Sequence, residues 1–230
     1  MSVAATTLGE SQITNNQYQL FMDMKPPDIT FTRVVIFVNA VVPLVLLAWD
    51  AFFHHLGANP VEFATRTTGV LTLICLFVSL AVTPLRQTLG ANWLIKFRRM
   101  LGLFAFFYGC LHLLTYIWFD KFFHLSEIVQ DTLKRPFIFV GMASWLLLVP
   151  LAITSTNAMI KRLGGKRWQR LHRVVYLIAI GGVFHYWLIV KADARIPYTF
   201  AAVLAVLLGY RLVKAMNKSA GKRPMSVMPR

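Results

Sequence analysis

Residues 100–119 read MLGLFAFFYGCLHLLTYIWF, a run without a single charged side chain. A helix needs about 20 consecutive apolar residues to cross the hydrocarbon core of a bilayer. The run therefore predicts a membrane-spanning helix. It also contains a histidine, His112. Because an ionisable side chain inside a membrane is costly, it marks a candidate functional site.

Outward from this run, five further apolar stretches predict additional spans. They cover about residues 34–56, 67–85, 136–156, 171–190 and 196–213. Together with 100–119 they predict an all-α integral membrane protein built as a bundle of six transmembrane helices. The composition agrees, since 57% of the residues are hydrophobic and only 14% are charged, against about 25% charged in soluble domains. A soluble enzyme is therefore excluded.

The chain is expected to have one folded domain between two tails. Residues 1–33 are polar and predict an N-terminal tail, residues 34–214 contain the six spans, and residues 215–230 form a basic tail. The longest loop, about 120–135, is too short for a nucleotide-binding βαβ unit of about 30 residues. No glycine-rich nucleotide motif is present either. Electrons, if the chain carries them, must come from other molecules or from small cofactors.

The formal charge of +15, from 24 Lys and Arg against 9 Asp and Glu, is explained by membrane topology. With the N-terminus in the cytoplasm, most basic residues fall in the two tails and in the loops at 86–99 and 157–173. Basic residues concentrate in cytoplasmic loops. The sequence therefore predicts a multi-pass protein with both termini in the cytoplasm. Its charged partner is the lipid bilayer, and nucleic acid is not a partner.

Two histidines are expected at the same depth in the membrane. His112 lies about 13 residues beyond the cytoplasmic end of the third span, and His185 about 14 beyond that of the fifth, which places both about 20 Å from that side. Imidazole nitrogen suits iron, and a haem takes two axial ligands. The pair therefore predicts the axial ligands of one haem. The alternative is a pair of polar residues hydrogen-bonded between helices.

His172 is predicted to serve a second site nearer the cytoplasm. On one continuous helix it lies about 20 Å below His185 and about 140° around from it, so the two cannot serve one iron. The matching level of the third span offers Arg98 and Arg99. Arginine suits haem propionates or a flavin phosphate. The alternative is an interfacial cluster that faces lipid.

The residues before His172 are basic and aromatic. Lys166, Arg167 and Trp168 follow Gly164 and Gly165, which turn the chain ahead of a helix. Since a helix N-terminus can hold an anion, the segment is a candidate site for the phosphate of FMN. An anchor of positive charge on the cytoplasmic side explains the same residue types.

Four glycines near the histidines predict close approach to the backbone. Gly102 and Gly109 lie on the third span, and Gly181 and Gly182 on the fifth. They would let a macrocycle approach the helices, or they serve ordinary helix packing through small residues.

Several short motifs occur in order between about residues 35 and 214. They are Ala58-Asn59-Pro60-Val61-Glu62, Thr83-Pro84-Leu85, Arg98-Arg99-Met100-Leu101-Gly102, Leu111-His112-Leu113, Arg135-Pro136-Phe137, Thr154-Ser155-Thr156-Asn157-Ala158-Met159, and Gly165-Lys166-Arg167-Trp168-Gln169-Arg170-Leu171-His172 with His185-Tyr186. With these motifs the chain resembles the MsrQ family, the haem-binding membrane subunits of periplasmic methionine sulfoxide reductase systems. That family lies within the ferric-reductase-like transmembrane superfamily.

The resemblance implies a b-type cytochrome of the bacterial inner membrane that also requires FMN. Electrons would come from membrane quinol or a cytosolic flavin reductase. They would leave to a periplasmic molybdenum-cofactor catalytic subunit that reduces methionine sulfoxide. The chain would then be an electron-transfer subunit without a substrate-reducing site of its own.

Relatives in the wider superfamily, such as NADPH oxidases, carry two histidines on each of two helices and bind two haems. Here Arg98 stands where the fourth histidine would be, which leaves the second haem open. The competing function is a proton- or ion-coupled transporter with a histidine relay. The sequence offers no Asp or Glu at mid-membrane and no inverted repeat to support it.

Overall fold

The computed structural model describes residues 28–190 and 195–220, with side chains to residue 217. Within those residues the chain is helical and has no β-strand, which confirms the all-α fold class. The helices are α1 Ile29–Phe52, α2 Pro60–Thr88, α3 Arg98–Thr115, α4 Leu125–Lys134, α5 Pro136–Ile153, α6 Asn157–Leu163, α7 Gly165–His172, α8 Val175–Ile189 and α9 Arg195–Ala220. A short 3-10 turn, Asn92–Lys96, precedes α3, and a π-helical turn, Tyr116–Asp120, extends it.

Six helical segments of the described chain are long and apolar enough to cross a membrane, as predicted. They are Ile29–Phe52, Pro60–Thr88, Arg98–Asp120, Pro136–Ile153, Gly165–Ile189 and Arg195–Asn217. Their number matches the six predicted spans, and the differences lie at their ends.

The first span begins at Ile29 rather than at residue 34. The side chain of Asp28 caps the helix, because its Oδ1 accepts hydrogen bonds from the N–H groups of Thr30 at 2.8 Å and Phe31 at 3.3 Å. The tail predicted over 1–33 therefore ends within α1, and its residues 1–27 lie outside the described chain.

The second and sixth spans are longer than predicted because charged residues join their ends. Helix α2 begins at Pro60, ahead of Glu62 and Arg66. Helix α9 continues to Ala220. It therefore includes the first residues of the basic tail predicted over 215–230, whose remainder lies outside the described chain.

Two helix pairs form the centre of the bundle. Helix α2 packs most extensively on α3, and α5 on α8; the pairs meet where α3 contacts α5 and where α2 contacts α8. Residues at this centre, among them Leu76, Leu80, Ala105 and Ala179, are almost fully buried. Each pair therefore presents one face to the other, and the candidate site lies between these faces.

The bundle has two chemically different ends. We call the end that carries Phe52, Pro60, Asp120, Pro136 and Ile189 the acidic end, and the opposite one the basic end. Every ion pair of the described chain involves residues at the acidic end: Asp50 with His55, Glu62 with Arg66, Lys121 with Glu127 and Asp131, and Asp131 with Arg135. The many Lys and Arg side chains of the basic end have no such partners among the described residues.

The chain departs from the predicted pattern in two places. The loop predicted over 120–135 contains the amphipathic helix α4, which buries Ile128 against the bundle. The predicted fifth span is interrupted after His172, where the N–H groups of Arg173 and Val174 bond three residues back. His172 and His185 therefore lie on separate helices, so the premise of one continuous helix, from which the angle of about 140° was calculated, does not hold.

Candidate cofactor site

A cavity of about 580 Å³ lies between the two helix pairs. This volume is within the range of about 300–1,000 Å³ that small molecules and cofactors occupy. Its walls come from α2, α3, α5 and α8 and are mainly apolar. The apolar lining includes Val70, Leu73, Leu76, Leu113, Ile138, Met142, Leu148, Ile178 and Ile189.

The imidazole rings of His112 and His185 both line this cavity. Their centres are 6.0 Å apart, and their planes are inclined at 83°. Two imidazoles that bind one metal from opposite sides have centres about 6 Å apart, because each metal–nitrogen bond is about 2 Å long. The structure thus brings together the two residues that the sequence predicted at equal depth, at a spacing that suits a shared iron.

Each ring is held by a main-chain carbonyl of the neighbouring helix. Nδ1 of His112 lies 2.8 Å from the carbonyl oxygen of Thr65 on α2. Nδ1 of His185 lies 2.6 Å from the carbonyl oxygen of Phe137 on α5. Since a carbonyl only accepts, each Nδ1 carries the proton and donates, which leaves Nε2 with a free lone pair. This is the tautomer that a metal-binding histidine requires.

A glycine follows each of these carbonyls by four residues. A Cβ atom on Gly69 would come within 3.0 Å of the His112 ring, and one on Gly141 within 2.7 Å of the His185 ring. Because the Cα–Cβ bond of a helical residue tilts toward the helix N-terminus, a side chain at position i+4 covers the carbonyl at position i. The two glycines therefore uncover the carbonyls and let the rings lie against the helix backbone.

Sequence reasoning missed Gly69 and Gly141 and named other glycines instead. Gly109 and Gly182 do line the cavity. Gly102 faces the hydroxyl of Ser79 and Gly181 that of Ser144, so both serve helix packing. The role of Gly69 and Gly141 depends on the contact between each histidine and a carbonyl. That contact joins residues 47 or 48 positions apart, so it leaves no local pattern in the sequence.

Two polar atoms in the cavity wall have no hydrogen-bond partner among the residues that the structure describes. They are the hydroxyl of Tyr116 and the indole N–H of Trp145, and both are buried. Buried polar groups in proteins are normally bonded. Together with the two free imidazole nitrogens, these atoms fit a wall that contacts a cofactor carrying some polar groups.

His172 has a different environment at the basic end. Its ring stacks on Trp168 with centres 3.9 Å apart, and its Nε2 lies 3.0 Å from the hydroxyl of Thr154. That hydroxyl donates to the carbonyl of Pro150 at 2.6 Å, so Nε2 of His172 is the donor to Thr154. Trp168 also donates to the Thr154 carbonyl at 2.8 Å. Iron ligation through Nε2 of His172 would require the Thr154 contact to break.

The predicted basic residues lie near His172 and far from the cavity. Arg98 is half-buried and close enough for its charge to act on His172. The guanidinium of Arg99 donates to Asn157 at 2.5 Å, and Lys166 and Arg167 are exposed. The structure thus gathers these cations at the basic end.

Comparisons with known proteins agree with this architecture. The family described as the ferric reductase like transmembrane component matches residues 68–183. A protein named protein-methionine-sulfoxide reductase heme-binding subunit MsrQ, from Herminiimonas arsenicoxydans, is 53% identical over 84% of this chain and 89% of its own length. The protein of that name from Azospira oryzae is 49% identical over 84% and 83%. The chain belongs to the MsrQ family. A third relative, from Xanthomonas campestris pv. campestris, is 42% identical over 85% of this chain and 92% of its own length.

Family membership and the six apolar helices together make this a multi-pass membrane protein. The match to the ferric reductase like family runs from within α2 to within α8. It contains His112 and His172 and ends just before His185. The matched region therefore covers most of the two helix pairs that enclose the cavity, and the family resemblance seen in the sequence is confirmed.

Proposed function

We propose that this protein is a b-type cytochrome in which His112 and His185 are the axial ligands of one haem. The observation that carries the proposal is the pair of rings in the cavity, 6.0 Å apart, each with Nδ1 bound to a carbonyl. Its relatives are named heme-binding subunits. A haem iron would supply one-electron redox chemistry.

The residues around the rings support such a site in three ways. The carbonyls of Thr65 and Phe137 fix the tautomer and orientation of the ligands, as the hydrogen-bond partners of metal-binding histidines do. The glycines at 69 and 141 leave room for both rings. The apolar walls exclude water and keep the ligands in a region of low dielectric constant. Because the rings come from different helix pairs, a bound haem would also join these pairs.

The proposed activity is electron transfer across the bacterial inner membrane. The basic end would face the cytoplasm, because basic residues concentrate on that side, and both termini would lie there. Electrons would enter from membrane quinol or a cytosolic flavin reductase. They would leave at the acidic end to a periplasmic molybdenum-cofactor methionine sulfoxide reductase, for the repair of oxidised proteins.

The basic end is proposed as the site of a second cofactor, FMN. Arg98, Arg99, Lys166 and Arg167 offer positive charge at an end where the described residues contain no ion pair, and Trp168 offers an aromatic surface. These groups suit the phosphate and ring of a flavin. A second haem on His172 would require Nε2 of this histidine to give up its hydrogen bond to Thr154 and to bind iron instead.

The visible spectrum of the purified protein tests the haem proposal. A Soret band that shifts on addition of dithionite is expected for the unmodified protein. His112→Ala and His185→Ala should each remove most of the haem, measured as the haem-to-protein ratio. His55→Ala is the matched control, since this histidine lies exposed at the acidic end, and it should keep its haem. An unchanged ratio in the first two variants would refute the assignment.

A further inference from the structure

The cavity is charged at one end only. Its charged lining residues are Glu62, Arg66, Asp120 and Arg135, and all four belong to the acidic end. Arg66 follows Thr65, whose carbonyl holds His112, and Arg135 precedes helix α5, whose Phe137 holds His185. One arginine therefore stands beside each of the two histidine anchors.

The donors of both arginines are incompletely used. Arg66 lies 3.8 Å from Glu62 and Arg135 lies 3.6 Å from Asp131, which is beyond hydrogen-bonding distance. A guanidinium has five N–H donors and binds a carboxylate best through two of them. Both side chains are more than half exposed, at 58% and 55%, and so can reorient. Each arginine can therefore donate hydrogen bonds to a further carboxylate at the cavity mouth.

The hydroxyl of Tyr116 supplies a third donor at the same place. Tyr116 lies four residues after His112, which is about 6 Å closer to the acidic end along the helix. Its hydroxyl is buried and has no hydrogen-bond partner among the described residues. The charges that act on it are, in decreasing order, those of Asp131, Lys121, Asp120 and Arg135. A carboxylate between the hydroxyl and Arg135 would give the hydroxyl a partner.

The start of helix α5 adds a partial positive charge to the two arginines at this end of the cavity. No side chain caps the helix, and the first N–H groups of any helix lack partners within it. The positive end of its dipole is therefore turned toward the mouth of the cavity, where Phe137 and Ile138 form part of the wall. The helix terminus, the arginines and the hydroxyl favour an anionic group there, whereas Glu62 and Asp120 at the same mouth oppose it.

We propose that Arg66, Arg135 and Tyr116 form a carboxylate-binding subsite that holds the propionate groups of the cofactor at the acidic end. The inference rests on the proposed haem site and adds to it the orientation of the bound molecule. The carboxylate edge of a bound haem would face the acidic end, and its apolar edge would lie on the side of Leu76, Leu148 and Ile178, which line the cavity. Arg98 and Arg99, which the sequence offered to a second cofactor nearer the cytoplasm, lie at the opposite end of the span that contains Tyr116.

Haem release and reduction potential test the subsite in the purified holoprotein. The variants are Arg66→Gln, Arg135→Gln and Tyr116→Phe. Transfer of haem to excess apomyoglobin should be about tenfold faster for each arginine variant, because a charge-assisted hydrogen bond is lost, and a few-fold faster for Tyr116→Phe. The midpoint potential should fall in the arginine variants, since removal of a nearby positive charge favours the ferric state.

Three controls separate this subsite from a general loss of structure. Lys134→Gln removes the same charge from the neighbouring position, whose side chain bonds Gln130 and lies outside the cavity lining; it should leave both readouts unchanged. Arg66→Lys and Arg135→Lys keep the charge and should retain most of the potential. Only samples with the six-coordinate spectrum of the unmodified protein are compared.

Wild-type release rates and potentials in both glutamine variants would overturn the inference while leaving the haem proposal intact. An equal effect of Lys134→Gln would overturn it as well, because the charge then acts without a defined site. A colourless wild-type protein, or haem retained by His112→Ala, would instead refute the haem proposal itself.

Discussion

His112 and His185 differ from His172 in the ring nitrogen that the protein binds. The first two donate from Nδ1 to main-chain carbonyls, which leaves the lone pair of Nε2 free, and their rings line a cavity. His172 uses Nε2 to donate to a threonine hydroxyl and lies under an indole ring. The same residue type thus acts as a candidate ligand at one level of the bundle and as a packed, hydrogen-bonded side chain at another. Depth in the membrane alone does not separate these roles, whereas the partner of each nitrogen does.

Substitution of the glycines beside His112 and His185 should have the largest effect on how these two histidines are held. Gly141→Ala would place a methyl group 2.7 Å from the His185 ring, and Gly69→Ala one 3.0 Å from the His112 ring. Overpacking of this kind costs about 1–3 kcal/mol, so we expect haem affinity to fall about ten- to hundredfold, more for Gly141→Ala. Haem content and the midpoint potential measure the effect.

Two other glycines are matched controls for this substitution. A Cβ on Gly209 meets nothing within 4 Å, and one on Gly102 meets only the Ser79 hydroxyl, at 3.7 Å. Alanine at either position should preserve haem content. Normal haem content and potential in Gly141→Ala would mean that the tight ring-to-backbone contact has no role in positioning His185.

His172→Ala tests whether His172 is a packed, hydrogen-bonded side chain and not a ligand of the main haem. The expected effect is smaller. The haem held by His112 and His185 should remain, so the Soret band should keep at least half of its intensity. Loss of the Thr154 bond should cost about 1 kcal/mol and loosen the segment from 157 to 173. Tryptic cleavage in that segment, which is rich in Lys and Arg, should therefore become faster.

A complete loss of the Soret band in His172→Ala would contradict the prediction that His112 and His185 hold their haem without His172. His124→Ala at the acidic end is the control, because this histidine is exposed and its ring bonds the carbonyl of the nearby Lys121, at 3.0 Å. This variant should match the unmodified protein in both haem content and cleavage rate.

The smallest expected effect concerns the ion pair that holds α4 at the acidic end. Lys121 lies 2.5 Å from Asp131, and its hydrogen bond lowers the pKa of Asp131 from the ordinary value of 3.8. A carboxyl group with a lowered pKa stabilises the fold above its unfolded-state pKa, and this contribution is lost as the pH falls through the folded-state value. Asp131→Asn should therefore weaken α4 at pH 7.

Hydrogen exchange of the α4 amides measures this effect. At pH 7 the amides of Asp131→Asn should exchange faster than those of the unmodified protein, and the two should converge well below pH 3.8, where Asp131 is neutral. The basic end provides the internal comparison, since its described residues form no ion pair. Equal exchange at pH 7 would show that Ile128 packing alone holds the helix.

The sequence alone determined the class of the protein. Six apolar runs are a local property of the chain, and each must become a helix because a membrane interior leaves backbone groups no other partner. The equal depths of His112 and His185 also follow from counting residues along helices of known rise. The apolar runs did not define the helix ends. The first span begins at Ile29 because Asp28 caps it, and the second begins at Pro60 because charged residues join the helix ahead of its apolar run.

The tertiary structure decided which histidines face a cavity and in which tautomer. The carbonyls of Thr65 and Phe137 bind rings that lie 47 and 48 residues away along the chain, and the glycines that uncover these carbonyls lie on the same neighbouring helices. The interruption of the helix after His172 likewise lies next to tertiary contacts, those of Trp168 and His172 with Thr154. Such contacts depend on how helices pack side by side, and residue counting along a single helix contains no information about that packing.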